Sequence, residues 1–176
     1  KRIADFPSVS RKAIRVVQYD GDTKLKILKE YNGSKGYAVG FASLVKFIND
    51  LLPKNEVIGE ALRRDVRMYP QLAIRELVAN SIIHQDFNIS GTATIIEIYN
   101  DRIEFSNAGA PLIDTIRFID EYRSRNEKMA SLMRRLKICE EKGSGIDKVI
   151  FQCEFYQLPA PYFVSNEVHT KVILYA

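Results

Sequence analysis

Apolar residues alternate along some stretches of this chain and recur every three or four positions along others. The switch between these two periods lays out its elements. Residues 13–20, AIRVVQYD, and 24–31, KLKILKEY, read as two strands around the turn Asp20-Gly21-Asp22. The NGSKG run at 32–36 consists of turn residues and marks a plausible domain seam. Residues 37–52 have helical spacing and stop at Pro53. The stretch 55–69 fits neither period cleanly; a strand leading to Pro70, in the first turn of the next helix, is the favoured reading. A helix over 71–84 follows, then strands at 91–99 and 102–107 joined across Asn100-Asp101. Residues 108–125 are irregular, with one short helix near 113–119. In SRNEKMASLMRRLKI, Ser124 and Glu127 fit a capping box, and Met129, Leu132, Met133 and Leu136 fall on one helix face. After Gly143-Ser144-Gly145 comes a helix with Ile146, Val149, Ile150 and Cys153 inward; PYFVSN and EVHTKVILYA finish as strands. This mixture of helices and hairpins predicts an α/β two-layer sandwich with a mixed sheet.

One helix breaks its own pattern. RELVANSIIHQDF, residues 75–87, is mostly apolar, yet Glu76, Asn80 and His84 stand four residues apart. Steps of four advance about 40° around a helix, so the three share an arc of about 80°. Ile74, Val78 and Ile82 lie on the other side. A buried carboxylate without a partner costs several kcal/mol, so this face must meet a partner, water or a ligand. One chemistry uses the spacing: a carboxylate that deprotonates a water, and an amide oxygen one turn later on a phosphate-bound Mg²⁺. The plain alternative is an Asn bonded to loop backbone with Glu and His at a solvated edge, and E-x-x-x-N alone is common by chance.

Two later stretches favour the first reading. EFSNAGAP, 104–111, is a strand ending in small residues; Ala108, Gly109 and Ala110 leave room for a flat base beside Asn107. EEKGSGID, 140–147, sets glycines directly before a helix, where backbone N–H groups and the positive helix end can face a phosphate. G-x-G before a helix is by itself more often a turn.

Composition narrows the class. With 46% hydrophobic and 27% charged residues, the 176-residue chain has ordinary globular composition. It opens at Lys1 in mid-pattern and reads as a piece of a longer protein. No apolar run approaches the ~20 residues that cross a bilayer. Cys139 and Cys153 form no disulfide framework and no metal pattern, and with no signal peptide they point to a reducing, cytoplasmic setting. The net charge of +4 suits an anionic ligand or nucleic acid without requiring either. The basic clusters RRDVR (63–67) and RRLK (134–137) have no interleaved aromatic residues, and no Walker A loop is present.

As a set, Glu76–Asn80, Asn107–Gly109 and Gly143–Gly145 resemble the N box and the two glycine boxes of the GHKL ATPases. RELVANSIIHQDF, IEIYNDRIEFSNAGAP, SRNEKMASLMRRLK and EEKGSGIDKV are most similar to a divergent branch. Its members are bacterial RecG-related ATP-dependent DNA helicases and transcriptional regulators with a Schlafen/AlbA-type domain. The resemblance is dense over residues 70–158. It implies a Bergerat-type ATP-binding fold over 36–176, with residues 1–33 the end of an upstream AlbA-like domain. It implies Glu76 as water-activating base and Asn80 as Mg²⁺ ligand. Gly143 and Gly145 would face the phosphates, and 108–142, with Arg123, Arg125 and Asn126, would be the nucleotide lid. His84, Asn107, Gly109 and Lys142 complete the expected nucleotide-binding set. The implied cofactors are ATP and Mg²⁺. The implied partners are a nucleotide, DNA through domains outside this chain, a second copy in a homodimer, and no membrane.

This chain departs from the pattern at named positions. Asn107 stands where the main families read adenine with Asp, Pro111 replaces a glycine, and Gln85 and Lys142 replace arginines of the branch. Two functions therefore stand side by side. One is an ATP-binding or ATP-hydrolysing regulatory module of a DNA-binding protein. The other is a degenerate scaffold for interaction or dimerisation without catalysis.

Overall fold

The computed structural model describes residues 2–58, 63–113, 123–139 and 144–176, and for 54–58 and 63–67 the backbone path only. A 3₁₀ turn at Ile3–Asp5 and helix α1, Pro7–Ser10, lead to strands β1, Arg15–Tyr19, and β2, Ile27–Asn32. Helix α2, Tyr37–Leu51, is followed by a hairpin of β3, Lys54–Ile58, and β4, Arg63–Arg67. The ambiguous stretch at 55–69 is thus two strands rather than one. Next come α3, Gln71–Ile83; β5, Ile95–Ile98; β6, Arg102–Ala108; and α4, Glu127–Arg135. Helix α5, Gly145–Phe155, and strands β7, Tyr162–Ser165, and β8, His169–Tyr175, complete the order. The short helix expected near 113–119 falls largely outside the described residues, as do Lys142 and Gly143.

Six strands form one mixed sheet in the order β2-β1-β5-β6-β8-β7. β1 and β5 run parallel, and the other neighbours are antiparallel. The parallel pair needs a long crossover, and the chain between β1 and β5 supplies it through β2, α2, the β3–β4 hairpin and α3. Residues 1–33, expected to close an upstream domain, instead give this sheet two of its strands. β1 pairs β5 from Arg15↔Ile95 to Gln18↔Ile98. The turn after β1 is bonded in as well: the Gly21 and Asp22 carbonyls accept from Asn100 N–H and Arg102. The alternation of residues 13–31 shows that they are strands but not which sheet they join.

One sheet face is apolar. Val16, Ile96, Ile98, Ile103, Phe105 and Leu174 pack there against Phe41, Leu44 and Ile48 of α2 and against α3, α4 and α5. α3 lies at the centre and is buried on nearly every side. The other face carries a small cluster of Val17, Tyr19 and Tyr99 beside Glu97 and Glu104, which stand directly opposite across β5 and β6. Like charges so placed repel, and each is met by its own donors. Glu97 accepts from Lys24 at 2.5 Å and from Tyr19 at 3.0 Å. Burial alone would raise the Glu104 carboxyl, but bonds from Lys171 and Arg102 bring it below its ordinary range.

α4 starts at a different cap from the one expected. Asn126, not Ser124, is its N-cap residue, and Ser124 Oγ is buried with no hydrogen-bond partner. Asn126 Nδ2 donates instead to the Ile83 and Gln85 carbonyls at the end of α3, at 2.7 and 2.8 Å. The buried face of α4 also differs from the expected one. Ala130 and Met133 are buried, whereas Leu132 and Leu136 are about half exposed. In α5, Val149 and Cys153 are buried, with Ile146 and Ile150 partly covered.

Both α4 and α5 end in Schellman caps. Lys137 N–H donates to Arg134 and Ile138 N–H to Met133; Gln157 and Leu158 repeat this with Glu154 and Cys153. The left-handed residues are Lys137, φ 56°, and Gln157, φ 57°, where glycine is usual. Replacing Gln157 by Gly should therefore stabilise the fold by roughly 0.5–1 kcal/mol. A left-handed side chain costs about 1–2 kcal/mol, less the unfolded-state freedom that glycine adds. Urea denaturation of both chains measures it, and a loss of stability would contradict the cap assignment.

Candidate functional site

The polar row of α3 faces a pocket. Glu76, Asn80 and His84 line it, opposite Phe105 and Asn107 of β6 and Thr170 and Val172 of β8. The strand residues meet because the register pairs Phe105 with Val172 and Asn107 with Thr170, putting alternate side chains on one face. Pro111, Leu112 and Ile113 close one side, and Arg123, Arg125 and Arg134 add positive charge. Gly145 and Ile146, the first residues of α5, form the far wall.

The acid and the amide meet the start of α5 directly. A Cβ built on Gly145 would lie 3.4 Å from Glu76 Oε2 and 3.7 Å from Asn80 Nδ2. A Cβ there would sit in ordinary van der Waals contact with both groups. Glu76 is 1% exposed, and its other oxygen, Oε1, accepts from Arg75 Nη1 at 3.0 Å. The positive end of α5 and the guanidinium thus offset the cost of burying this charge.

Asn107 is buried at the strand end, where its Nδ2 donates to the Ala108 carbonyl at 3.2 Å. Thr170 Oγ1 donates to the Gly109 carbonyl at 2.9 Å, so its lone pairs are what it offers to the pocket. Sequence spacing does not mark Thr170; only the β6–β8 register brings it beside Asn107.

Gly109 has a different setting from the one expected. The space beside it holds the Arg125 guanidinium rather than an open slot. A Cβ at 109 would overlap that guanidinium, and the glycine's φ of +103° also excludes most side chains. Arg125 bonds Asp86 Oδ2 at 3.0 Å and the Ala110 carbonyl at 2.8 Å. Asp86 N–H in turn donates to the Ala108 carbonyl. The HQD end of α3 is therefore a junction that fixes the strand end of β6 and the approach to α4. Lys12, which sequence reading passed over, secures the same loop from behind. It is fully buried, and its Nζ donates to the carbonyls of Asp86, Ile89 and Thr92.

Among the described residues no three His, Cys, Asp or Glu side chains cluster in a way that could hold a metal ion. Asn80 brings one amide oxygen to the pocket. One or two protein groups, with phosphates and water completing the shell, is the usual way Mg²⁺ is held on a nucleotide.

An acid-and-amide row on a central helix, a small-residue strand end and a helix N-terminus together line this pocket. Residues 91–174 match the family described as "Putative ATP-dependent DNA helicase recG C-terminal". The matched stretch includes Asn107, Gly109 and Gly145, while Glu76, Asn80 and His84 precede it. No curated protein matches the chain. Its fold is similar to that of the DIP2311 protein from Corynebacterium diphtheriae. The TM-score is 0.83 at 22% identity, over 97% of this chain and 36% of that one. The chain thus spans about a third of that protein. No helix among the described residues is long and apolar enough to cross a membrane.

His84 gives the pocket a pH signature. Burial first, and Arg125 second, push its imidazole down to about 4. It is therefore neutral in the fold at pH 7, whereas in the unfolded chain it charges below about 6.5. Its contribution is complete above pH 6.5 and drains away as the pH falls toward 4. Unfolding free energies measured from pH 7 to 4.5 should fall more steeply for the parent than for His84→Gln, by at most about 3 kcal/mol. Equal losses in the two chains would show that His84 stays neutral in both states.

Proposed function

We propose that this chain is the ATP-binding module of a longer regulator or helicase-like protein that acts on DNA, and that it hydrolyses ATP with Glu76 as general base. The observation that carries this reading is the meeting of Glu76, Asn80 and Gly145 at the start of α5. Base, metal ligand and phosphate site would need to stand together in this way. The adenine ring would lie over Phe105 and Val172, with the acceptors of Asn107 and Thr170 directed at its amino group. Its phosphates would face the N-terminus of α5. Asn80 would hold Mg²⁺, which supplies charge neutralisation on the phosphates. Glu76 would take the proton of the attacking water and pass it on to solvent. The DNA-directed part of the reading rests on the family description and the net charge of +4; contacts with DNA are assigned to the rest of the longer protein.

A scaffold without turnover is the competing reading. Pro111 on the pocket wall and the Arg125 guanidinium beside Gly109 favour it, since both take up space at the base end.

Thermal unfolding with Mg²⁺ and ATP separates the two. Saturation at 100 times Kd should add about 2.7 kcal/mol of stability. Phosphate release should fall by about 10²–10⁴-fold in Glu76→Gln with binding retained, while Asn80→Ala should lose both. No thermal shift at millimolar ATP in the parent would leave the scaffold reading standing.

A further inference from the structure

Arg75 stands immediately before Glu76, and neighbouring residues on a helix point about 100° apart. An Arg beside a Glu therefore does not by itself bring a guanidinium onto the carboxylate. Here a second bond holds it there. Nη1 donates to Glu76 Oε1 at 3.0 Å, and Nη2 donates to the Lys137 carbonyl at 2.8 Å, 62 residues away. Lys137 is the left-handed cap residue of α4, so the direction of its carbonyl is set by the Schellman turn. The Arg75 side chain is 29% exposed and that of Glu76 1%. Glu76 Oε2, on the far side, lies against Gly145 at the positive end of α5. The carboxylate is thus gripped from two directions by two elements that follow it in the chain.

Further charged groups line the pocket around it. Arg134 of α4, Arg123 and Arg125 before that helix, and His84 on α3 itself line the same pocket. In the first turn of α5, the acidic residue is Asp147, which is exposed.

We propose that Arg75 is the positioning residue of Glu76: its guanidinium holds the buried carboxylate ionised and turned toward α5, and its bond to Lys137 makes that hold depend on the end of α4. This deepens the reading of Glu76 as proton acceptor and rests on it. A buried carboxylate that loses a neighbouring cation takes up a proton at higher pH, because less then offsets the cost of burial. A shift of α4 would draw Arg75 away and quench the base without touching the nucleotide.

Carbon-13 NMR of the glutamate side-chain carboxyls in the whole chain tests this without any turnover. Glu76 is identified by its missing signal in Glu76→Gln. In Arg75→Gln, the pH at which Glu76 takes up its proton should rise by roughly 1–3 units, the effect of removing an opposite charge at this range. Arg75→Lys should restore most of the shift. A Glu76 titration unchanged in Arg75→Gln would overturn the proposal. If Arg75→Gln does not fold, the parent decides. Its Arg75 side-chain nitrogen signals should move with the same midpoint as the Glu76 carboxyl, and independent midpoints would overturn the proposal. Phosphate release unaffected by Glu76→Gln, with these titrations as expected, would reject the base assignment alone.

Discussion

Everything at the site depends on keeping one charge inside the protein. Glu76 lies on a helix buried on nearly all sides, and a carboxylate there is tolerated only with compensation close by. Among the described residues it comes from Arg75 on one oxygen and from the N-terminus of α5 on the other. Both come from outside the polar row itself. α5 must start where it does, and α4 must end where its cap can hold Arg75. The apolar packing of α3, α4 and α5 on the sheet sets these positions, and the charge at the centre gives them consequence.

The same economy governs the other end of the pocket. Arg125 reaches into the space that Gly109 leaves and joins Asp86 to the Ala110 carbonyl, while Asn126 ties the end of α3 to the start of α4. Lys12 holds the loop after α3 through three carbonyls. These contacts keep the end of α3 and the end of β6 in fixed relation. Asn107 and His84 can then face one cavity from two different layers.

Much of this was legible in the sequence. The four-residue spacing of Glu76, Asn80 and His84 marked the face of α3 that lines the pocket, and the β5–β6 hairpin and the strands β7 and β8 followed from alternation. What stayed hidden depends on partners far along the chain. The pattern of residues 13–31 gives strands but cannot say that β1 runs beside β5. Ser124 satisfies the capping rule in sequence, yet Asn126 starts α4, because the Ser124-to-Asn126 stretch is pulled across to the end of α3. Thr170 reads as one more strand residue until the register sets it beside Asn107. Arg75 reads as a surface charge until the cap of α4 turns a carbonyl toward it.

The central claim is that the row on α3 and the start of α5 form one nucleotide site. Amide NMR spectra of the chain recorded during addition of Mg²⁺ and ATP test it most directly. The account predicts saturable shifts concentrated at Glu76, Asn80, His84, Asn107, Thr170 and Gly145, with the outer sheet face around Glu97 and Glu104 unmoved. Shifts centred on that outer face, or none at millimolar ATP, would contradict it.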